Sequence, residues 1–189
     1  MPDYLIDAGV SRFTVRAFAG GLLSGLGHNP VVAIRGFNGD ARWDPAAPIQ
    51  ASLRLVVLAA SLAVQNDVSD KDRREMERGM QEEVLEIGRY PQIIFESTAV
   101  SAVQGNGPVR VKIDGNLTLH GVTKPVTLDV EGPTGPVNGM DKKPHRGFTA
   151  TTTINRKDFG LNFAMTVASG DAMIGDDVKI ELDIDAAQL

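Results

Sequence analysis

Between Val109 and Leu119 the chain alternates without a slip. Val109, Val111, Ile113, Gly115, Leu117 and Leu119 share one parity, while Arg110, Lys112, Asp114, Asn116 and Thr118 share the other. A strand sends successive side chains to opposite faces, whereas a helix repeats about every 3.6 residues, so this run folds as a strand with one covered face and one wet face. At roughly 3.3 Å per residue it spans nearly 40 Å, longer than the usual strand of about five or six residues. A turn at His120-Gly121 follows, and Val126, Leu128 and Val130 resume the alternation against Thr127, Asp129 and Glu131. Two phase-matched strands make a hairpin, and strands this long suit a tall barrel or a strongly coiled sheet.

The rest of the chain repeats the pattern. Short or long strands are predicted over Tyr4–Asp7, Ser11–Ala17, Val31–Asp44, Ile49–Val64, Ile93–Val100, Phe148–Asn155 and Val178–Asp185. In Val31–Asp44 the apolar parity switches at Arg35-Gly36, which predicts a β-bulge there. The Pro- and Gly-rich segment from Gly132 to Lys143 reads as a loop. The exception to the strands is Ser69–Ile87. Ser69 is a suitable N-cap, Asp70 and Asp72 favour the first turn, and Met76, Met80, Val84, Leu85 and Ile87 form an apolar stripe. Gly79 is placed to kink this helix, and Tyr90-Pro91 ends it. We expect it to cover one end of the sheet. The reading is a single all-β domain over residues 1–189: an extended antiparallel, lipocalin-like barrel of about eight strands with one inserted helix. Closure removes the exposed edges that such strands would otherwise present.

Composition then excludes whole classes of function. A net charge of −5 and the lack of any basic run leave nothing to neutralise a nucleic-acid backbone. There is no cysteine, hence no disulfide and no thiolate metal site. No apolar run is long enough for a membrane helix. Met1–Asp7 has neither the basic nor the apolar region of an export signal, so a cytoplasmic location is expected, or a periplasmic one if a signal peptide has been removed. His28, His120 and His145 have no metal-ligand spacing. Ser24 precedes His28 without a Gly-x-Ser-x-Gly elbow, Asp158-Phe159-Gly160 lacks every other kinase element, and Gly20–Pro30 lacks the Gly-Lys-Ser/Thr ending of a phosphate loop. No catalytic residue, metal or cofactor is therefore expected.

What remains is an apolar interior. Eight strands enclose a space that side chains fill or that holds one small ligand. The inward positions nominate Phe13, Val15, Ile34, Phe37, Leu55, Phe95, Val111, Ile113, Leu117, Leu119, Phe148 and Ile154 as its ligand-binding lining.

Several stretches also resemble the YceI-like family of lipocalin-like, polyisoprenoid-binding proteins. They are Tyr4-Leu5-Ile6-Asp7 with Ser11-Arg12-Phe13, Gly36-Phe37-Asn38-Gly39, Tyr90–Ser97, Gly115–Val126, Ile154–Gly160 and Gly175–Val178. They run through nearly the whole chain in family order. The resemblance implies a barrel with a helix closing one end and a long isoprenoid, such as a quinone or prenyl-phosphate tail, inside it. The expected function is non-enzymatic binding, carrying or sequestering of that lipid. The alternative is a stress-response or structural interaction protein whose barrel is filled by its own side chains. Association of two barrels as a homodimer is compatible with either.

Overall fold

The computed structural model describes residues 1–20, 29–103, 109–138, 142–162, 166–167, 170–171 and 173–189. Ser24, His28 and the Gly105–Pro108 turn lie outside the described residues. Thirteen strands are described: β1 (Asp3–Ile6), β2 (Arg12–Gly20), β3 (Val31–Ile34), β4 (Phe37–Arg42), β5 (Ser52–Leu58), β6 (Leu62–Val64), β7 (Gln92–Val103), β8 (Arg110–Leu119), β9 (Val122–Asn138), β10 (Pro144–Asn155), β11 (Thr166–Val167), β12 (Gly170–Asp171) and β13 (Met173–Gln188). Hydrogen bonding runs antiparallel through β1, β4, β5, β7, β8, β9, β10 and β13, and β13 pairs back to β1, closing a barrel of eight.

The segments β1 and β2 both pair with β13, at Ala186–Gln188 and at residues 173–183, so they act as one strand interrupted between Asp7 and Ser11. The hairpin made by β3 and β4 with β5 and β6 is interrupted too, at Arg35-Gly36 on one side and by a 3-10 turn, Ala59–Ser61, on the other. Arg35 N donates to Ser61 O at 3.2 Å and Leu58 N to Gly36 O at 2.9 Å, which holds the two halves together. The predicted parity switch is present, but it is a break in both strands rather than a bulge in one. Beyond that break β3 pairs with β2 and β6, and β6 has no second strand partner among the described residues.

The alternation in β8 is realised in full. Val111, Ile113, Leu117 and Leu119 are buried, while Arg110, Lys112, Asp114 and Asn116 are exposed. Arg110 pairs with Glu131 and Lys112 with Asp129 on the wet face of the β8–β9 hairpin. Its turn is the two residues His120 and Gly121, both with positive φ (51° and 73°), the twist that a two-residue hairpin needs. The loop predicted from Gly132 is strand as far as Asn138. Between Glu131 and Thr134, and again between Thr134 and Val137, two residues oppose one of β10. Each Gly-Pro pair, 132–133 and 135–136, thus occupies a bulge, where a proline without an N–H costs the ladder nothing.

Helix α1 (Asp70–Gly79) is capped by Ser69, whose Oγ accepts from Asp72 N at 3.1 Å. At Gly79 the winding loosens into a π turn, Met80–Val84. Two glycines give opposed expectations. A Cβ on Gly115 would lie 2.4 Å from the Phe95 ring and 2.6 Å from Glu96 O, whereas one on Gly79 meets nothing within 4 Å. Gly115→Ala should therefore cost about 1–3 kcal/mol of stability and Gly79→Ala should add about 0.5–1 kcal/mol, both read by urea denaturation. Equal effects would show that the Phe95–Gly115 contact is not as close as described.

Candidate ligand cavity

The interior is divided along the strands. In β8, Val111 and Ile113 belong to a filled end, and Leu117 and Leu119 line a cavity of about 700 Å³, with Gly115 and the Phe95 ring at the boundary. In β13 the same division falls between Leu182, which lines the cavity, and Ile184, which does not. Aromatic bulk decides which end is filled. Trp43 meets Phe148 edge-on at 5.7 Å, and both surround a gap of only about 50 Å³. Phe13, 2% exposed, forms the floor between the two ends: it lines the cavity, and its ring stacks on Phe37 at 3.9 Å and 15°. Above that floor the walls are almost wholly aliphatic.

Helix α1 and the π turn form the remaining wall, through Met76, Gly79, Met80, Val84 and Leu85. The same segment satisfies the unpaired edge of β6. Glu77 Oε1 accepts from Val64 N at 2.9 Å, Arg73 Nη1 donates to Val64 O at 2.8 Å, and Gln81 Nε2 donates to Ala60 O and Leu62 O at 3.2 and 3.4 Å. Side chains thus replace the missing strand, where each buried unpaired group would cost about 1–3 kcal/mol. Few lining groups are polar: Asp72, Glu75 and Glu83 stand exposed on the helical side, Arg156 on the barrel side beyond Ile154, and Thr152 in the wall beside Ile180.

A model of the YceI-like domain matches residues 4–186. The chain belongs to the YceI-like family. A UPF0312 protein of Pseudomonas putida strain W619 is 34% identical over 150 residues, covering 77% of this chain and 71% of that protein. A UPF0312 protein of Shewanella baltica strain OS185 is 33% identical over 172 residues, covering 88% and 81%. Among solved structures, Burkholderia cenocepacia BcnA superposes with a TM-score of 0.70 at 22% identity, covering 95% of this chain and 98% of that one. A domain from Saccharophagus degradans described as polyisoprenoid binding superposes with a TM-score of 0.65 at 14% identity over the whole of both chains. These two likenesses establish the fold, a closed YceI-like barrel.

Of the residues nominated from sequence, Phe13, Val15, Ile34, Leu55, Phe95, Leu117, Leu119 and Ile154 line this YceI-like cavity. Val111, Ile113 and Phe148 sit in the filled end, and Phe37 supports the floor without reaching the cavity. The parity of these four is as expected; parity gives the face of a strand and not the height at which the interior fills. Val32, Val57, Leu62, Val126, Ile180 and Leu182 are lining residues not nominated from sequence; Val32 and Val57 share strand and parity with Ile34 and Leu55, whereas Val126, Ile180 and Leu182 stand on strands from which no residue was nominated.

His120 and His145, the two histidines among the described residues, are structural fasteners. His120 donates from Nε2 to Glu86 Oε2 at 2.6 Å, places Nδ1 3.3 Å from Phe159 O, and packs edge-on against Tyr90 at 4.7 Å. It ties the hairpin turn to the end of the helical wall. Asp158-Phe159-Gly160 proves to be the end of a 3-10 turn, with Phe159 buried and Gly160 left-handed (φ 74°). Asp7, His145 and Asp185 bring donor atoms within 4.8 Å of one another, a grouping that their spacing in sequence did not signal. His145 Nδ1 is hydrogen-bonded to Asp185 Oδ1, and Asp7 Oδ1 accepts from Gly9 N at 2.8 Å, so the group fastens the β1–β2 corner to β10 and β13.

The hydrogen bond from His120, then that from Arg89, holds the Glu86 carboxyl below its ordinary range. A carboxyl depressed in the folded state stabilises it above the ordinary value, and that contribution disappears as pH falls through the folded-state value. Glu86→Gln should therefore melt below the parent near neutral pH, and the gap should close in acid. Circular dichroism melts across the acidic range check this; a gap independent of pH would show that the Glu86–His120 bond contributes nothing.

Proposed function

We propose that this protein takes up the apolar chain of an isoprenoid-type lipid and carries or sequesters it without chemical change. The observation that carries the reading is the cavity: about 700 Å³ of aliphatic-walled space, within the roughly 300–1,000 Å³ of small-molecule sites, with few polar groups in its lining. Each methylene moved there from water contributes about 0.8 kcal/mol, enough for a few isoprene units to exceed the ordering cost of association. The Saccharophagus degradans domain described as polyisoprenoid binding has the same fold, which agrees with this reading. A barrel filled by its own side chains fits only the end holding Trp43 and Phe148. The hydrogen bonds from the helical wall to β6 come from side chains and not from a backbone ladder, which suits a door for a lipid too long to enter through the rim.

The test uses Ile180→Trp. Ile180 lines the cavity from mid-β13, so the larger ring fills ligand space without cutting a strand. Uptake of a fluorescent prenyl analogue should fall at least about tenfold with little change in melting temperature. Ile113→Ala, in the filled end, should instead lower stability by about 2–5 kcal/mol and leave uptake by the folded protein unchanged. Undiminished uptake by Ile180→Trp, or solvent extracts of purified parent protein that never contain a long-chain lipid by mass spectrometry and no uptake of added prenyl quinone, would overturn the proposal.

A further inference from the structure

We infer that the cavity rim selects lipids with an uncharged or cationic head and disfavours those ending in phosphate; this rests on the uptake reading above. The helical side of the cavity is lined by Asp72, Glu75, Met76, Gly79, Met80 and Glu83. Their spacing of three and four residues places them on one face of the segment. The methionines and the glycine are partly buried, and the three carboxylates are exposed. An apolar tail lying against Met76 and Met80 therefore brings its head among Asp72, Glu75 and Glu83.

The cations nearby are either engaged with other groups or absent from the lining. Arg156 lines the opposite side of the cavity, but its Nη1 donates to Leu161 O at 2.7 Å, its Nε donates to Gly175 O at 3.2 Å, and its Nη2 lies 3.6 Å from Asp176 Oδ1. Arg73 is engaged with Val64 O and Asn66 O. Lys71, Arg74 and Arg78 lie on the same helix but do not line the cavity. A phosphate brought to the rim loses water and gains like charge, whereas a hydroxyl, a quinone carbonyl or an ammonium does not meet that repulsion.

Three ligands with one tail test this: geranylgeraniol, geranylgeranylamine and geranylgeranyl phosphate, each displacing a fluorescent polyene from the parent protein at low salt. The phosphate should bind about tenfold more weakly than the alcohol, a difference that shrinks as salt screens exposed charge, and the amine should bind at least as well as the alcohol. The variant Asp72→Asn/Glu75→Gln/Glu83→Gln should bring phosphate and alcohol to within about threefold. Asp67→Asn/Asp70→Asn/Glu82→Gln removes the same number of charges from exposed positions that do not line the cavity and should leave the discrimination in place. Phosphate binding as tight as the alcohol in the parent, or equal effects of both triple variants, would overturn the rim's role while leaving uptake intact. Failure of all three ligands to bind would overturn the uptake reading and this inference with it.

Discussion

The unfinished edge of β6 is the constraint on which the rest of the structure depends. Eight strands close a ring at one end, where β1 joins β13 and β4, but above the break at Arg35-Gly36 the ring is left open between β6 and β7. Backbone groups cannot be left unpaired against an apolar interior. Glu77, Arg73 and Gln81 supply the missing partners from a helix. A fourth wall made this way differs from a strand in one respect. It is attached through side chains, by these hydrogen bonds and by the packing of Met80 and Leu85, rather than by a continuous backbone ladder. The π turn at Met80–Val84 belongs to the same design, since a widened turn is less regular than the helix it continues.

The filled end makes such a wall tolerable. Trp43, Phe148, Tyr4 and Phe37, with Leu53, Val111, Ile113 and Ile184, pack a continuous core below the Phe13 floor. The bonds among Ser11, His145, Asp7 and Asp185 close the corner beneath it. One half of the barrel thus supplies cohesion, and the other can hold a cavity without collapsing the fold. Emptying a cavity of this size in an ordinary core would be severely destabilising. Here the aliphatic walls are held apart by strands whose positions the filled half has already set.

Much of this was legible in the sequence. The uninterrupted alternation of Val109–Leu119 specified strand, face and hairpin, and the capped stripe from Ser69 specified the helix, because both depend on local periodicity. The division of the interior was not legible. Ile113 and Leu117 are the same parity on the same strand, and only the distribution of Trp43, Phe148 and Phe37 from other strands decides that one is packed and the other lines a cavity. The bulges were hidden for a related reason. Gly132-Pro133 reads as a loop by composition, yet opposite Phe148 it is an accommodated irregularity within a seventeen-residue strand. In β7 an extra residue at Thr98 shifts the register between Ser97 and Ala99, so a parity count begun at Phe95 fails after it. The break at Arg35-Gly36 was visible as a phase change, but its consequence, an open edge needing a helix, depends on the opposing interruption at Ala59–Ser61.

We propose the space above Phe13 and beneath α1 as the lipid site. The most direct measurement is a crystal structure of the protein loaded with a long-chain prenol. Continuous density is expected for the chain, running from the rim at Asp72 and Glu83, past Met76, Met80 and Ile180, down to the Phe13 ring, with the filled end unchanged. A prenol bound on the outer face of the barrel, or a cavity closed by inward movement of Leu117, Leu119 and Ile180, would contradict it.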